Sequence, residues 1–510
     1  MMSRFWKRLA GDRRGNILTL VALALVPVSF AVGFGVDYGR AMKLQAQMNA
    51  AADAAALVAV SSPMMQDLSS TATTAAQNAA KAMFNAQVAR LGPKTYNPTT
   101  DLSVAISTTG TLNNGRRVVV QWRAQATTWF AQLLGTGALP ISGSASSQAI
   151  KAPYMNFYMV LDTSPSMLLP TTTAGMTTMR NATKTYSFTP YGCAFGCHIK
   201  VPHTVSTDIR DPGGRPVWLD TSGNVFRLTS YSSSTAVGLN AAGRSVNVTA
   251  YPNGYFADNY WIAKNFATYW GVPNVELRID ALRTAAQQFI PYAAAQAADK
   301  GVTYKLQLFA FDYTRSGASN AVRTITSTMA DMATMSASVV PDFYAQQDYL
   351  ASDGCPTSSF CNSDASTNFT SMLSTMNSTM ATPGDGTTPS NPQEVMFLVT
   401  DGMYDEMSGS TRRFAQLTAA HIAQCNAIKA RGIRIAVLYT EYHADSLIGV
   451  SWAPTQAGPA IPYIEPQLQA CASTGSDGSP LEYKVATDQS ISDALIALFA
   501  LTVQSAHLVQ

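Results

Sequence analysis

Asp162, Ser164 and Ser166 occupy alternate positions in FYMVLDTSPSM, directly after an apolar run, and Asp401 closes a second apolar run in VMFLVTDG. Thr367 stands in STNFTSMLSTM, just ahead of apolar residues at helical spacing. Two carboxylates and three hydroxyls make a hard, oxygen-only donor set. It suits Mg2+ or another divalent cation that prefers near-octahedral oxygen ligation and keeps some of its waters. With only two carboxylates the set is not saturated in charge, so a Glu or Asp from a partner can supply a last ligand. Asp-x-Ser-x-Ser alone is an ordinary turn sequence, and so is Thr-Asp-Gly. Their weight comes from position, because each ends an apolar strand inside an alternating pattern. The chemistry is that of a metal-assisted contact surface rather than a catalytic centre.

The elements that must position these residues follow from periodicity. FYMVL, VTYKLQLFAF, VMFLVT, IRIAVLY and YKVAT read as strands, and the uninterrupted apolar runs among them fit strands buried on both faces. Ile279, Leu282, Ala286, Phe289 and Ile290 share one helical face, as do Phe369, Met372, Leu373 and Met376. A further helix is expected near Ala415 to Ala430. Another starts at Ser490, with Asp493 three residues on as a capping-box variant. Strands alternating with helices imply an α/β fold with a doubly wound, mostly parallel sheet. Ligands bind such sheets outside the carboxyl ends of the strands, where the five oxygen-bearing residues fall. Residues 168–276, rich in Thr, Ser, Gly, Pro, Asn and Tyr, read as a large insertion of short strands and loops.

The N-terminal part has a different character. Ile17 to Val36 carries no Asp, Glu, Lys or Arg. At 1.5 Å per residue it spans roughly 30 Å, the thickness of a bilayer core. Arg4, Lys7, Arg8, Arg13 and Arg14 precede it, so the N-terminus is expected in the cytoplasm and the rest on the far side. The run is longer than a signal-peptide core and lacks a small-x-small cleavage site before Asp37, which favours a retained single-pass anchor. The apolar helix is expected to run on to about Val60, with Pro63 breaking it. A second helix is expected over Thr71 to Arg90, and DLSVAIS and RRVVVQW form a hairpin through NNG. TTWFAQLLG then reads as a short apolar helix and ISGSASSQAI as a returning strand. The expected organisation is a basic segment at 1–16, a membrane helix at 17–36, an α+β stalk module at 37–150 and an α/β domain at 151–510.

Composition narrows the function classes. Of the 510 residues 47% are hydrophobic and only 13% charged, which fits a folded protein with an extracytoplasmic life. Net charge is +3 and no Lys/Arg-rich run lies beyond the first fourteen residues, so the basic footprint of a nucleic-acid binder is missing. The six cysteines include two close pairs, as an oxidising compartment permits. The preferred pairing is Cys193 with Cys197, Cys355 with Cys361, and Cys425 with Cys471. The competing use is zinc binding by Cys193, Cys197 and His198, for which a second pair of ligands is missing. None of His198, His203, His421, His443 and His507 falls in a Ser-His-Asp or His-Glu-x-x-His setting. No activated nucleophile can be argued at Ser164 or Ser166, so an enzyme is not expected.

Two resemblances arise from these residues. Residues 154–510 resemble a von Willebrand factor A domain, and the oxygen cluster resembles its metal-ion-dependent adhesion site. The resemblance implies Asp162, Ser164 and Ser166 on a first loop, Thr367 on a second and Asp401 on a third, with Asp401 acting through water. The first loop matches in full. The second has Ala365-Ser366-Thr367 where the family has Gly-Gly-Thr, and Thr387 or Thr388 in GDGTT competes for the place. Thr367 is preferred because an amphipathic helix follows it. The N-terminal stretch is similar to the TadG-like proteins of the tight-adherence (Flp) pilus system, through Arg14-Gly15-Asn16, the apolar span, Asp37-Tyr38-Gly39-Arg40 and the Ala-Asp-Ala-Ala-Ala at 52–56. The C-terminal ALIALFALTVQSAHLVQ resembles theirs too. This implies a bacterial inner-membrane protein facing the periplasm, with pilus or secretion-apparatus proteins as partners. A structural pilin-like subunit is the alternative, although Thr19 and Leu20 stand where such precursors carry Glu. An extracytoplasmic hydrolase is the remaining one.

Overall fold

The computed structural model describes residues 15–508 apart from 111, 136, 193, 266 and 342 and the segments 184–191, 195–214, 221–223, 232–235, 249–253, 257–262, 269–270, 313–320, 344–366, 409–410 and 449–452. Two compact units divide at Lys151/Ala152. Cys193, Cys197, His198, Cys355 and Cys361 lie outside the described residues.

The first unit is organised by helix α1 (Gly15–Ala59), unbroken through Pro27. Leu20–Ala59 is long and apolar enough to cross a membrane. Leu23, Leu25, Val28 and Val32 are all exposed, whereas Gly33, Asp37, Ala41, Leu44, Met48, Ala52, Ala55 and Ala59 form a buried stripe at helical spacing. The stripe packs on helix α2 (Ser70–Val88) and on an antiparallel sheet of β1 (Leu102–Thr109), β2 (Gly115–Thr127) and β3 (Ala138–Ile150), with β2 central. Along β2 the inward residues alternate as Val118, Val120, Trp122, Ala124 and Ala126, the period of a sheet covered on one face. Where α1 ends, the buried Arg116 guanidinium donates to the carbonyls of Ala59 (3.2 Å), Met64 (2.5 Å) and Asp67 (3.1 Å). It satisfies oxygens that the broken helix leaves open. The expected helix in TTWFAQLLG is a single 3-10 turn, Ala131–Leu134.

The second unit is built on five parallel strands: β4 (Met155–Asp162), β5 (Tyr304–Phe311), β6 (Gln393–Thr400), β9 (Arg434–Thr440) and β10 (Glu482–Val485), in the order β5-β4-β6-β9-β10. Both faces are covered. Phe157, Met159 and Leu161 of β4 point into one core with helices α4 (Arg278–Lys300) and α8 (Ile491–Leu508). Tyr158 and Val160 point into the other with α5 (Phe369–Thr379), α6 (Ala419–Ala430) and α7 (Ile461–Cys471). That two-sided burial is why the strands read as continuous apolar runs. Val322–Thr324 and Ala330–Asp331 add short antiparallel pairings on β5. Between Asp162 and α4 lie helix α3 (Thr173–Thr183) and a five-stranded sheet running from Val217 to Phe256.

In the second unit another expected element differs. The helix anticipated from Ala415 starts at Ala419, and the residues before it form an antiparallel hairpin of β7 (Met403–Ser408) and β8 (Thr411–Gln416). Thr418 then opens α6, its N–H donating to His421 Nδ1 at 3.0 Å. Cys425 and Cys471 form a disulfide that ties α6 to α7.

Candidate metal centre

Strand register brings the first two acidic residues to one level. Asp162 ends β4 opposite Phe311 of β5, and Leu161 pairs with Val399 of β6, so the chain leaving β6 at Thr400-Asp401 emerges beside Asp162. Thr400 Oγ1 donates to Asp162 Oδ2 at 2.6 Å, and the Ser164 N–H donates to Oδ1 at 2.9 Å. The hydroxyls of Ser164 and Ser166 are 3.0 Å apart. Asp401 Oδ1 accepts the Met403 N–H at 3.2 Å, whereas its Oδ2 is buried with no hydrogen-bond partner. Gly402 allows this tight exit. Its φ is +74°, and a Cβ there would lie 2.5 Å from Ile464 of α7.

Thr367 reaches the same edge indirectly. Its N–H donates to the Asp405 carbonyl (3.2 Å) and its carbonyl accepts the Asp405 N–H (3.0 Å), pinning it to β7 just past Asp401. The next N–H, of Asn368, donates to the carbonyl of Asp312, one residue beyond β5 (2.7 Å). The competing threonines are elsewhere. The Gly386 carbonyl accepts the Tyr154 N–H at 2.8 Å, so the loop carrying Thr387 and Thr388 lies at the amino end of β4, the far edge of the sheet.

Burial sets the electrostatics. Asp162, Ser164 and Asp401 have no solvent exposure, and Thr367 and Ser166 very little. Burial first, then the charge of Asp401, drives the Asp162 carboxyl well above the usual carboxylate range. Burial raises Asp401 as well, against the Ser166 hydroxyl and the charge of Arg278. Like charges in a buried pocket cannot both ionise cheaply without a cation between them. The oxygen-only donor set and the orphaned Asp401 Oδ2 therefore fit a hard divalent ion. Among the described residues no group of three or more His, Cys, Asp or Glu side chains is placed to hold a metal; this set has two carboxylates, with hydroxyls for the rest.

Sequence reasoning missed three supporting groups. Thr400 locks Asp162 although it looked like the last strand residue. Arg278, buried at the start of α4, is the internal cation facing Asp401. Glu406 on β7 accepts both the N–H (3.0 Å) and the hydroxyl (2.9 Å) of Thr370, beside the buried His421. Only Arg278 left a trace in the sequence, as a charge on an otherwise apolar helical face. His421, with Nδ1 taken by Thr418 and Nε2 3.0 Å from the Thr370 hydroxyl, is a packing group of α6.

Residues 15–62 match the Tad family of Flp pilus-assembly TadE/G-like sequences. No curated protein matches the chain. Among solved structures it is similar to the pilus adhesin SpaC from Lactobacillus rhamnosus GG, at 10% identity and a TM-score of 0.31, over 81% of this chain and 35% of the adhesin. An open conformation of the same adhesin overlaps at 11% identity and a TM-score of 0.29. The chain thus spans about a third of the adhesin's length, and so loose a superposition fixes neither fold nor function.

Proposed function

We propose that this is a membrane-anchored, metal-dependent binding protein that takes part in assembling or anchoring a tight-adherence (Flp) type pilus. The match at residues 15–62 supports the pilus system. The observation that carries the metal-dependent part is the buried Asp162–Asp401 pair with its unpartnered carboxylate oxygen at the carboxyl edge of a parallel sheet. On this reading the second unit is a von Willebrand factor A domain. Asp162, Ser164, Ser166, Thr367 and Asp401 hold Mg2+ or a similar ion, Asp401 through water. The bound ion supplies a Lewis-acidic contact point for a carboxylate of a pilus or secretion-apparatus protein. Thr400 keeps Asp162 aimed, and Arg278 offsets part of the charge of Asp401. The centre binds and does not catalyse. Helix α1 retains the protein in the bacterial inner membrane, with the N-terminus cytoplasmic and the bulk of the chain in the periplasm.

Calorimetric titration with Mg2+ tests it. Asp401→Asn keeps the shape and removes a charge, so the affinity should fall by at least about tenfold, equivalent to about 1.4 kcal/mol. Far-UV circular dichroism should stay unchanged. Equal Mg2+ affinity in the wild type and the variant would remove the metal from the proposal.

A further inference from the structure

We propose that the turn following β2, with Trp129 and Phe130 at its tip, is a second membrane contact that sits in the phospholipid headgroup layer beside α1. The inference rests on reading α1 as a membrane span and adds to it a part of the α+β module that touches lipid.

Depth is the first argument. The buried stripe of α1 begins at Gly33, inside the charge-free run that ends at Val36. From Gly33 to Asp37 the helix rises about 6 Å. The headgroup layer on each side of a bilayer is about 5–7 Å thick. Whatever packs on Gly33 therefore lies at the bilayer boundary. Phe130 packs there: a Cβ on Gly33 would come 2.6 Å from Phe130 Cβ and Cγ.

Hydrogen bonding is the second. Backbone at the edge of the hydrocarbon core gains from having its donors satisfied within the protein, because the core beside it offers no water. The Asp37 carboxylate accepts the N–H groups of Trp129 (2.9 Å), Phe130 (2.8 Å) and Ala131 (2.8 Å), the three donors at the start of the turn. The clamp fastens the turn to the residue at which the apolar run ends.

Surface chemistry is the third. Trp129 is 62% exposed and Phe130 42%, and α1 shows Phe34, Val36 and Tyr38 at the same level, all exposed. The Arg40 guanidinium lies 3.6 Å from the Trp129 ring centroid. Exposed indole, phenol and apolar groups with an arginine stacked above are the composition of a membrane interface. Two contacts, helix and turn, fix the angle at which this unit stands on the bilayer, where a helix alone would let it swivel.

The test uses the full chain in phosphatidylcholine/phosphatidylglycerol vesicles, with and without a lipid brominated near the headgroup end of its acyl chains. Subtracting the emission of Trp129→Phe from the wild type isolates Trp129; its exposure makes the replacement tolerable, and circular dichroism checks the fold. The expected difference emission is blue-shifted relative to a water-exposed indole, and most of it is lost to the brominated lipid. Gly33→Leu, which pushes Phe130 off the helix, should restore much of the lost signal while alkaline carbonate still leaves the chain in the vesicles. A carbonate-resistant chain whose Trp129 emits as in water and escapes the bromine overturns the second contact and leaves the anchor standing. A chain released by carbonate overturns both.

Discussion

Asp37 and Asp401 are both buried carboxylates, and their surroundings drive them in opposite directions. Burial works against the charge of each. At Asp37 the three backbone N–H donors of the turn and then Arg40 outweigh it, so its carboxyl is held below the usual range; at Asp401 burial wins. A depressed folded-state pKa means that Asp37 stabilises the turn fully above the unfolded-state value and loses that contribution as pH falls through the lower, folded one. The window lies below about pH 4. Amide hydrogen exchange at Trp129, Phe130 and Ala131 should therefore lose protection in that range in the wild type. In Asp37→Asn it should already be weakened at neutral pH, with no acid step; equal protection in both proteins would deny Asp37 the clamp. The sequence marked Asp37 as the residue closing an apolar run and as the first of the Asp37-Tyr38-Gly39-Arg40 resemblance, without a sign of the clamp. Its partner lies more than ninety positions away, so no local pattern could have revealed the clamp. Asp162 and Asp401 could be brought together from the sequence for the opposite reason: each closes an apolar strand, and parallel pairing brings strand ends together, whereas Thr367 stands ahead of helix α5 and reaches that edge through Asp405.

At the scale of elements, the strands were readable because two-sided burial writes them as apolar runs, whereas the hairpin β7–β8 was not. Its residues, MYDEMS and TRRFAQ, mix charges with apolar groups because the two strands pair with each other off the main sheet. Helix α7 was hidden by Pro462 and Pro466, residues that argue against a helix interior although the first sits harmlessly in the first turn. Both missed elements serve the candidate centre. Strand β7 carries Asp405, which pins Thr367, and Glu406, which holds the first turn of α5 through Thr370. Glu406→Ala removes an acceptor of helix-cap type and should cost about 1 kcal/mol of stability in thermal melts. If the latch positions Thr367, Mg2+ affinity should fall severalfold although Glu406 is not itself a ligand; an unchanged affinity would make the latch purely structural. Helix α7 packs under Gly402 and is tied to α6 by Cys425–Cys471, 46 positions apart. Closing a loop of that length removes unfolded-state entropy worth about 4 kcal/mol. The double replacement of both cysteines by alanine should lower stability by about 3–4 kcal/mol in urea, and a loss below about 1 kcal/mol would refute that accounting.

For the whole molecule, the assignment of parts to units makes a separable claim. All five proposed ligands, together with Thr400, Arg278 and Glu406, lie between Ala152 and Val509, and the long apolar helix and its turn lie before Lys151. Each unit has its own hydrophobic core, the second with one on each face of the parallel sheet. A unit with its own core can fold alone. Residues 152–510, exported to an oxidising compartment so that Cys425 and Cys471 pair, should therefore fold cooperatively. They should remain in solution without detergent and bind Mg2+ with the affinity of the full chain, within about twofold, a difference of about 0.4 kcal/mol. Attachment to membranes should be lost in the same fragment. If cation affinity also fell by tenfold or more while the fragment's melt stayed cooperative, some ligand or support would have to come from the first unit, and a centre closed by strand ends β4 and β6 and the Thr367 loop would be the wrong description. If affinity persists, metal binding and membrane attachment are independent properties of one chain. Impaired pilus assembly in a strain making the fragment would then report on where the binding centre must be held, not on whether it works.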